Sequence, residues 1–298
     1  MTEASRRKAL ILLGLLSLVW SYNWVVMKQV LHWSGPFAFA AWRGALGTLV
    51  LFALLAWRRV SLRPPPLAPV LLIGLAQTLC FQALAQWALV RGGAGHTALL
   101  VYTMPFWVVG VAWLVLRERP TRAQCVSVAL AFAGLLLVLE PWRGLGAPDS
   151  VLLATGAGLC WAIGTVLSKR LFLRGEASVL SLTAWQMLAG SIGLVVLALA
   201  VDEKPITWNA PFVGALAYNA VLASGLAWLI WAWVVEQLPT SVAGLSSLVI
   251  PVLGVLFAWA VLGEAPSAAE WAGIALVAAA LAVVAMRGQR AAARIGAA

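Results

Sequence analysis

Charge is scarce in this chain. Only 10% of its 298 residues are Asp, Glu, Lys or Arg, and ten of those are acidic. A soluble domain of this length could not cover its core with so little polar surface. Histidine is scarcer still: His32 and His96 are the two, in separate spans or loops. There is no HExxH and no GxSxG, so neither a metal cluster nor a nucleophile–base set is suggested, and an enzyme is not expected. Cys80, Cys125 and Cys160 all fall in apolar stretches, which predicts buried thiols rather than a disulfide or a metal site. No cofactor is expected.

What is abundant is apolar. Hydrophobic residues make up 63%, mean hydropathy is +0.97, and seventeen Trp stand against three Tyr, a balance that suits a membrane protein with interfacial indoles. The net charge of +10 could signal nucleic acid, but the basic residues sit in short clusters between apolar spans, so topology explains them and no nucleic-acid partner is expected. Arg6-Arg7-Lys8 and the apolar run from Ala9 resemble the start of a signal peptide. The run continues to about Met27 with no A-x-A site, so an uncleaved first helix is expected.

Ten spans of roughly 20 residues, each long enough for one bilayer crossing, fall near 9–29, 36–57, 68–89, 95–116, 123–139, 150–169, 179–200, 210–235, 241–262 and 267–286. Proline- and glycine-rich breaks such as Ser34-Gly35-Pro36 and Pro64-Pro65-Pro66 separate them. Fifteen of the twenty Lys and Arg lie at the chain ends and in the even-numbered loops, against Arg91, Arg143 and Lys204 on the other side. By the positive-inside rule both termini are cytoplasmic.

One segment is written twice. Pro105, Glu118 and Pro120 recur as Pro251, Glu264 and Pro266 at a single offset of 146, as does Ala112-Trp113 in Ala258-Trp259. Residues 105–139 and 251–285 share fourteen identities in thirty-five. Trp20 and Lys28 in the first helix are matched by Trp161 and Lys169 in the sixth. The chain thus divides into two five-helix units, 1–146 and 147–298. Five is odd, so the second unit enters the membrane from the opposite side. The fold class is an all-α membrane protein of ten transmembrane helices as two inverted five-helix repeats, an architecture of alternating-access carriers.

Ten spans, two five-helix repeats, and Pro105 and Pro251 breaking helices four and nine together resemble the drug/metabolite transporter superfamily. Within it the chain is similar to EamA-type exporters, and its Trp-rich interior is most similar to YddG-type amino-acid exporters. The resemblance implies an inner-membrane exporter of small metabolites, often amino acids. Its central cavity would be lined mainly by helices one, three, four, six, eight and nine. The expected substrate is a neutral or aromatic amino acid or a related metabolite. The alternative is an organophosphate or nucleotide-sugar exchanger, for which several cations should converge on phosphate; Lys28 plus Arg43 is thin support. Each repeat pair supplies both halves of a cavity, so a functional monomer in the lipid bilayer is expected.

Polar groups at membrane depth mark the candidates. His96 could read a carboxylate or carry a proton, or sit wetted at the interface. Gln82 and Gln86 share a face of helix three and could hold an ammonium or carboxylate, or glue helices together; Gln77 falls elsewhere on the wheel. Tyr102, Trp161, Trp185, Tyr218, Asn219, Trp228 and Ser246 form an aromatic and polar set, of which two or three should line the cavity. Pro105 and Pro251 are hinge candidates, each removing a backbone hydrogen bond. Lys28 could snorkel to the interface, and Arg43 would need carbonyls at a kink or a bound anion. Glu118 and Glu264 read as boundary residues, and the lack of a mid-span acid weakens any proton relay built on a carboxylate.

Overall fold

The structure, a computed structural model, describes residues 3–92, 94–144, 147–262 and 265–296. Glu264 lies outside them. Among the described residues every regular element is helical. Ten apolar helices run back and forth in turn. They are α1 (Glu3–Val30), α2 (Pro36–Trp57), α3 (Leu67–Arg91), α4 in two pieces (Ala94–Val101 and Met104–Leu116) and α5 (Arg122–Leu139). The second set is α6 (Pro148–Leu173), α7 (Val179–Ala200), α8 (Ala210–Gln237), α9 in two pieces (Thr240–Ser246 and Val249–Leu262) and α10 (Ala268–Gly296). Nine of these, among the described residues, are long and apolar enough to cross a bilayer, and the apolar part of α10, Ala268–Val283, is shorter.

Local chemistry sets the helix starts. Pro36 and Pro148 open α2 and α6, where a missing N–H costs nothing. Thr121 and Gln124 form a reciprocal cap at α5, while the Ser178 and Asn209 side chains accept from the first turns of α7 and α8. Large apolar side chains also point outward: Leu114, Leu152 and Leu199 are 80%, 75% and 84% exposed, as suits a helix bundle surrounded by lipid. The same fact corrects the expectation of buried thiols. Cys125 is exposed and Cys80 and Cys160 are half-buried, because an apolar residue in a span can face lipid as readily as protein.

The duplication survives in the packing. α2 packs on α7 and on α8, α3 packs on α6 and α7, and α5 pairs with α10. Two features not expected from the sequence recur in both halves. Gly74–Cys80 in α3 and Asn219–Leu226 in α8 are π-helical, with one extra residue per turn, at nearly equivalent places. Against each lies a glycine of the other half. A Cβ on Gly190 would sit 2.5 Å from the Gly74 carbonyl oxygen, and one on Gly47 would sit 2.9 Å from Ser224 Cβ. The absence of side chains there lets α7 and α2 approach the π segments closely.

Helices four and nine are interrupted as their prolines suggest, but the breaks precede the prolines. α4 is interrupted at Tyr102–Thr103 and α9 at Ser247–Leu248, so Pro105 and Pro251 lie in the first turn of each second piece. A proline is harmless there, and the strain falls on the carbonyl it frees four residues back. For Pro105 that is Val101, whose oxygen would be 2.7 Å from a Cβ on Gly158. Thr103 and Ser247 turn their hydroxyls back to donate to the Leu100 and Gly244 carbonyls at 2.7 Å each.

The two ends of the bundle differ. At the end away from the arginine-rich loops, the α7–α8 connection closes over the α1–α2 turn. Glu203 accepts from the backbone N–H groups of Phe37 and Ala38 at 3.0 and 2.8 Å, Lys204 donates to the Leu31 carbonyl, and Thr207 N–H donates to Trp33. At the basic end a cavity of about 500 Å³ opens among Glu118, Arg119, Gln124, Lys169, Gln237 and Ser241.

Candidate functional site

At the centre is an aromatic cluster contributed by both halves. Trp20 of α1 lies 5.3 Å from Trp161 of α6 and 5.1 Å from Trp228 of α8, edge to face. Trp161 also meets Phe81, Tyr102 and Trp231 at 5.4, 5.7 and 5.4 Å. These rings are buried, and such edge-to-face pairs add about 0.5–1.5 kcal/mol each beyond burial. The Trp20–Trp161 pair, equivalent positions in the two halves, therefore meets near the pseudo-two-fold axis.

Two small cavities flank the cluster, and they are images of one another. One, of about 30 Å³, is lined by Trp24, Met27, Arg43, Gln82, Ala85 and others, Asn23 and Tyr102 among them. The other, of about 10 Å³, is lined by Thr165, Ser168, Gln186, Trp228, Trp231 and neighbours. Counted along each helix pair, Thr165 stands where Trp24 does, Ser168 for Met27, Gln186 for Arg43, Trp228 for Gln82 and Trp231 for Ala85. Such volumes admit one or two waters and no organic solute, so the centre is closed in this conformation.

The polar groups follow the same symmetry. Thr78, on the π segment of α3, donates to Gln186 Oε1 at 2.7 Å. Ser224, the equivalent residue on the π segment of α8, accepts from Arg43 Nε at 3.1 Å. The Arg43 Nη1 group lies 2.8 Å from the Met27 sulfur, and the guanidinium stands over the Phe39 ring at 5.9 Å. Arg43 is 3% exposed, and among the described residues no carboxylate pairs with it. Neither a kink carbonyl nor an acid is its partner.

Lys28 does not snorkel outward. Its ammonium donates to the Leu89 and Gly92 carbonyls, at 2.7 and 2.9 Å, where α3 ends. Lys169 does the same for α8 at the opposite end of the bundle, donating to Val235, Glu236 and Leu238 at 3.0, 2.9 and 3.0 Å. A cation over the last carbonyls of a helix satisfies orphan acceptors and meets the negative end of its dipole. Both lysines are thus engaged in holding α1 to α3 and α6 to α8.

Of the residues singled out from sequence, Gln82, Tyr102, Trp161, Trp228 and Arg43 come together around the larger central cavity. The others are elsewhere. His96 is exposed near the start of α4. Trp185 stacks edge-on with Phe52 at 5.2 Å, away from the cluster. Tyr218 donates to the Val19 carbonyl at 2.6 Å, and Ser246 donates to Val242 within its own helix. Gln86 and Asn219 are fully buried; neither amide atom of Gln86 has a hydrogen-bond partner, and Asn219 donates to Ala215 while its oxygen has none. Glu118 accepts from the Thr240 hydroxyl at 3.1 Å and lines the cavity at the basic end, which is more than a boundary role.

Trp20, Asn23, Trp24, Phe81 and Trp231 belong to the centre and were not singled out. Trp20 carried a signal, since the repeat aligns it with Trp161. Asn23 carried one too, as a polar residue inside the first span. Phe81 carried none, because nothing in a single apolar span distinguishes a ring facing the axis from one facing lipid.

Duplicated, inverted five-helix halves that enclose a closed aromatic and polar centre define a multi-pass membrane transporter, not an enzyme. The family model for the EamA-like transporter family matches residues 7–140 and again 150–286. The chain belongs to that family. It is 28% identical to the uncharacterized transporter YoaV of Bacillus subtilis, over 85% of this chain and 89% of that one. It is likewise 28% identical to a probable amino-acid metabolite efflux pump of Salmonella typhimurium, over 90% of this chain and 91% of the relative. A solved crystal structure shares the fold with a TM-score of 0.77, at 23% identity, over 95% of this chain and 98% of that chain.

Proposed function

We propose that this transporter exports neutral or aromatic amino acids, or closely related small metabolites, from the cytoplasm. The observation that carries the reading is the central cavity: buried indole and phenol rings from both halves surround a guanidinium and two amide side chains, Asn23 and Gln82. Rings suit an apolar or aromatic side chain and, by cation–π attraction worth about 0.5–2 kcal/mol, an ammonium group. The similarity to a relative described as a probable amino-acid metabolite efflux pump supports the same substrate class.

In this reading the units 1–146 and 147–298 rock against each other, bending at the interrupted helices α4 and α9, with Pro105 and Pro251 at the bends. The basic end faces the cytoplasm, so the protein sits in the inner membrane with both termini inside and its outer end closed by the Glu203 contacts. It works as a monomer. Exchange of organophosphates or nucleotide sugars is disfavoured, because Lys28 and Lys169 are both committed to helix ends and Arg43 is the one cation lining the central cavity.

The test is flux in proteoliposomes that contain only this protein, comparing labelled amino acids with labelled phosphate esters, with and without a pH gradient. Amino-acid flux is expected. Phosphate-ester exchange without amino-acid flux contradicts the proposal.

A further inference from the structure

The two halves differ in one consequential place. Arg43 and Gln186 occupy equivalent positions, each bonded to a hydroxyl on the facing π segment, Ser224 or Thr78. Gln186 shows that a neutral amide is enough for that packing. The positive charge of Arg43 is therefore in excess of what the fold needs. It is also expensive, since a buried cation at membrane depth normally has an anion or several carbonyls around it. Arg43 has a neutral hydroxyl, a thioether and a ring.

Two more side chains lining the same cavity are incomplete. The Trp161 indole N–H and the Asn23 amide oxygen are buried without a hydrogen-bond partner. One is a donor and the other an acceptor, and both belong to the cavity that Arg43 lines. A buried polar group left unpaired is costly and calls for an occupant that completes it.

We infer that Arg43 is the carboxylate anchor of the transport site, so that the substrate must carry a free carboxylate and not merely an amine on an aromatic body. The carboxylate takes the guanidinium and the Trp161 N–H, and the ammonium takes the Asn23 oxygen and the ring faces. A single permanent cation suits a monoanionic carboxylate better than a phosphate ester. The asymmetry between Arg43 and Gln186 places this anchor in one half only, about 10 Å along α2 from Pro36 at 1.5 Å per residue. The inference rests on the amino-acid reading above and sharpens it.

The experiment is competition against labelled phenylalanine flux in proteoliposomes of the full chain. The competitors are unlabelled phenylalanine, phenethylamine, which lacks the carboxylate, and 3-phenylpropionate, which lacks the amine. In the unaltered protein phenethylamine is expected to compete at least about 30-fold more weakly than phenylalanine, the loss typical of leaving one partner of a buried charge pair unpaired. Arg43→Gln, which copies the residue of the other half and so should fold, is expected to weaken phenylalanine by a similar factor while leaving phenethylamine unchanged. Arg43→Lys should restore part of the discrimination. Equal competition by phenethylamine and phenylalanine in the unaltered protein overturns the inference while leaving amino-acid export standing, and needs no variant to fold. An Arg43→Gln protein that keeps the full discrimination overturns it too. If no labelled amino acid, neutral or aromatic, moves at all, the amino-acid reading falls, and this inference with it.

Discussion

Lys169→Met should loosen the bundle far more than its conservative size suggests. The ammonium closes the end of α8 through three carbonyls, all within 3.0 Å, and its loss leaves those acceptors bare. Hydrogen bonds to a charged group are worth about 1.5–3 kcal/mol each in mutational series, so three counted independently would give about 5–9 kcal/mol. They share one cation, and the cavity of about 500 Å³ beside Lys169 lets water reach the carbonyls. A loss of about 3 kcal/mol is the better figure, and Lys28→Met, with two acceptors, should lose about 2 kcal/mol. In detergent a thermal melt should show the Lys169→Met midpoint lowered by on the order of 10 °C, with the double variant near the sum because the sites lie at opposite ends of the bundle. A Lys169→Met protein that melts like the original but no longer transports would refute the reasoning. It would mean the lysine serves the transport path and not the helix end.

Two other outcomes follow from the packing. Gly190→Ala puts a methyl 2.5 Å from the Gly74 carbonyl oxygen, so it should destabilise by about 1–3 kcal/mol in the same melt, and more than Gly47→Ala, whose first contact is 2.9 Å; the reverse order would contradict the close approach. Pro105→Ala restores an N–H to the break in α4 and should slow turnover while leaving folding largely intact; unchanged turnover would sink the hinge role of that proline.

Much of the architecture was legible because hydropathy and the offset of 146 are long-range regularities that no local packing can disguise. Helix boundaries and the basic end followed directly. The π segments were not legible: they lie where α7 and α2 pack closely on α3 and α8, a long-range contact, and the sequence of Gly74–Cys80 carries no mark of it. The breaks in α4 and α9 were displaced from their prolines because the steric effect of proline acts four residues upstream. Arg43 was visible as an anomaly, but its partner Ser224 is 181 positions away and ordinary in its own context. Lys28 and Lys169 were visible as a matched pair, while their function depended on where α3 and α8 end in space. Trp185 and Trp161 look alike in sequence, each inside an apolar span, and only the packing of the halves decides which ring joins the cluster.

The central claim is that solute crosses through the cavity between the two halves. Ala85→Leu tests it most directly, because Ala85 lines that cavity, is 1% exposed, and a larger side chain there fills a space of about 30 Å³. Labelled phenylalanine flux should be measured on protein that remains monodisperse and melts cooperatively. The account predicts that flux is abolished in such folded protein. Flux equal to that of the unaltered chain would place the path elsewhere and contradict the account.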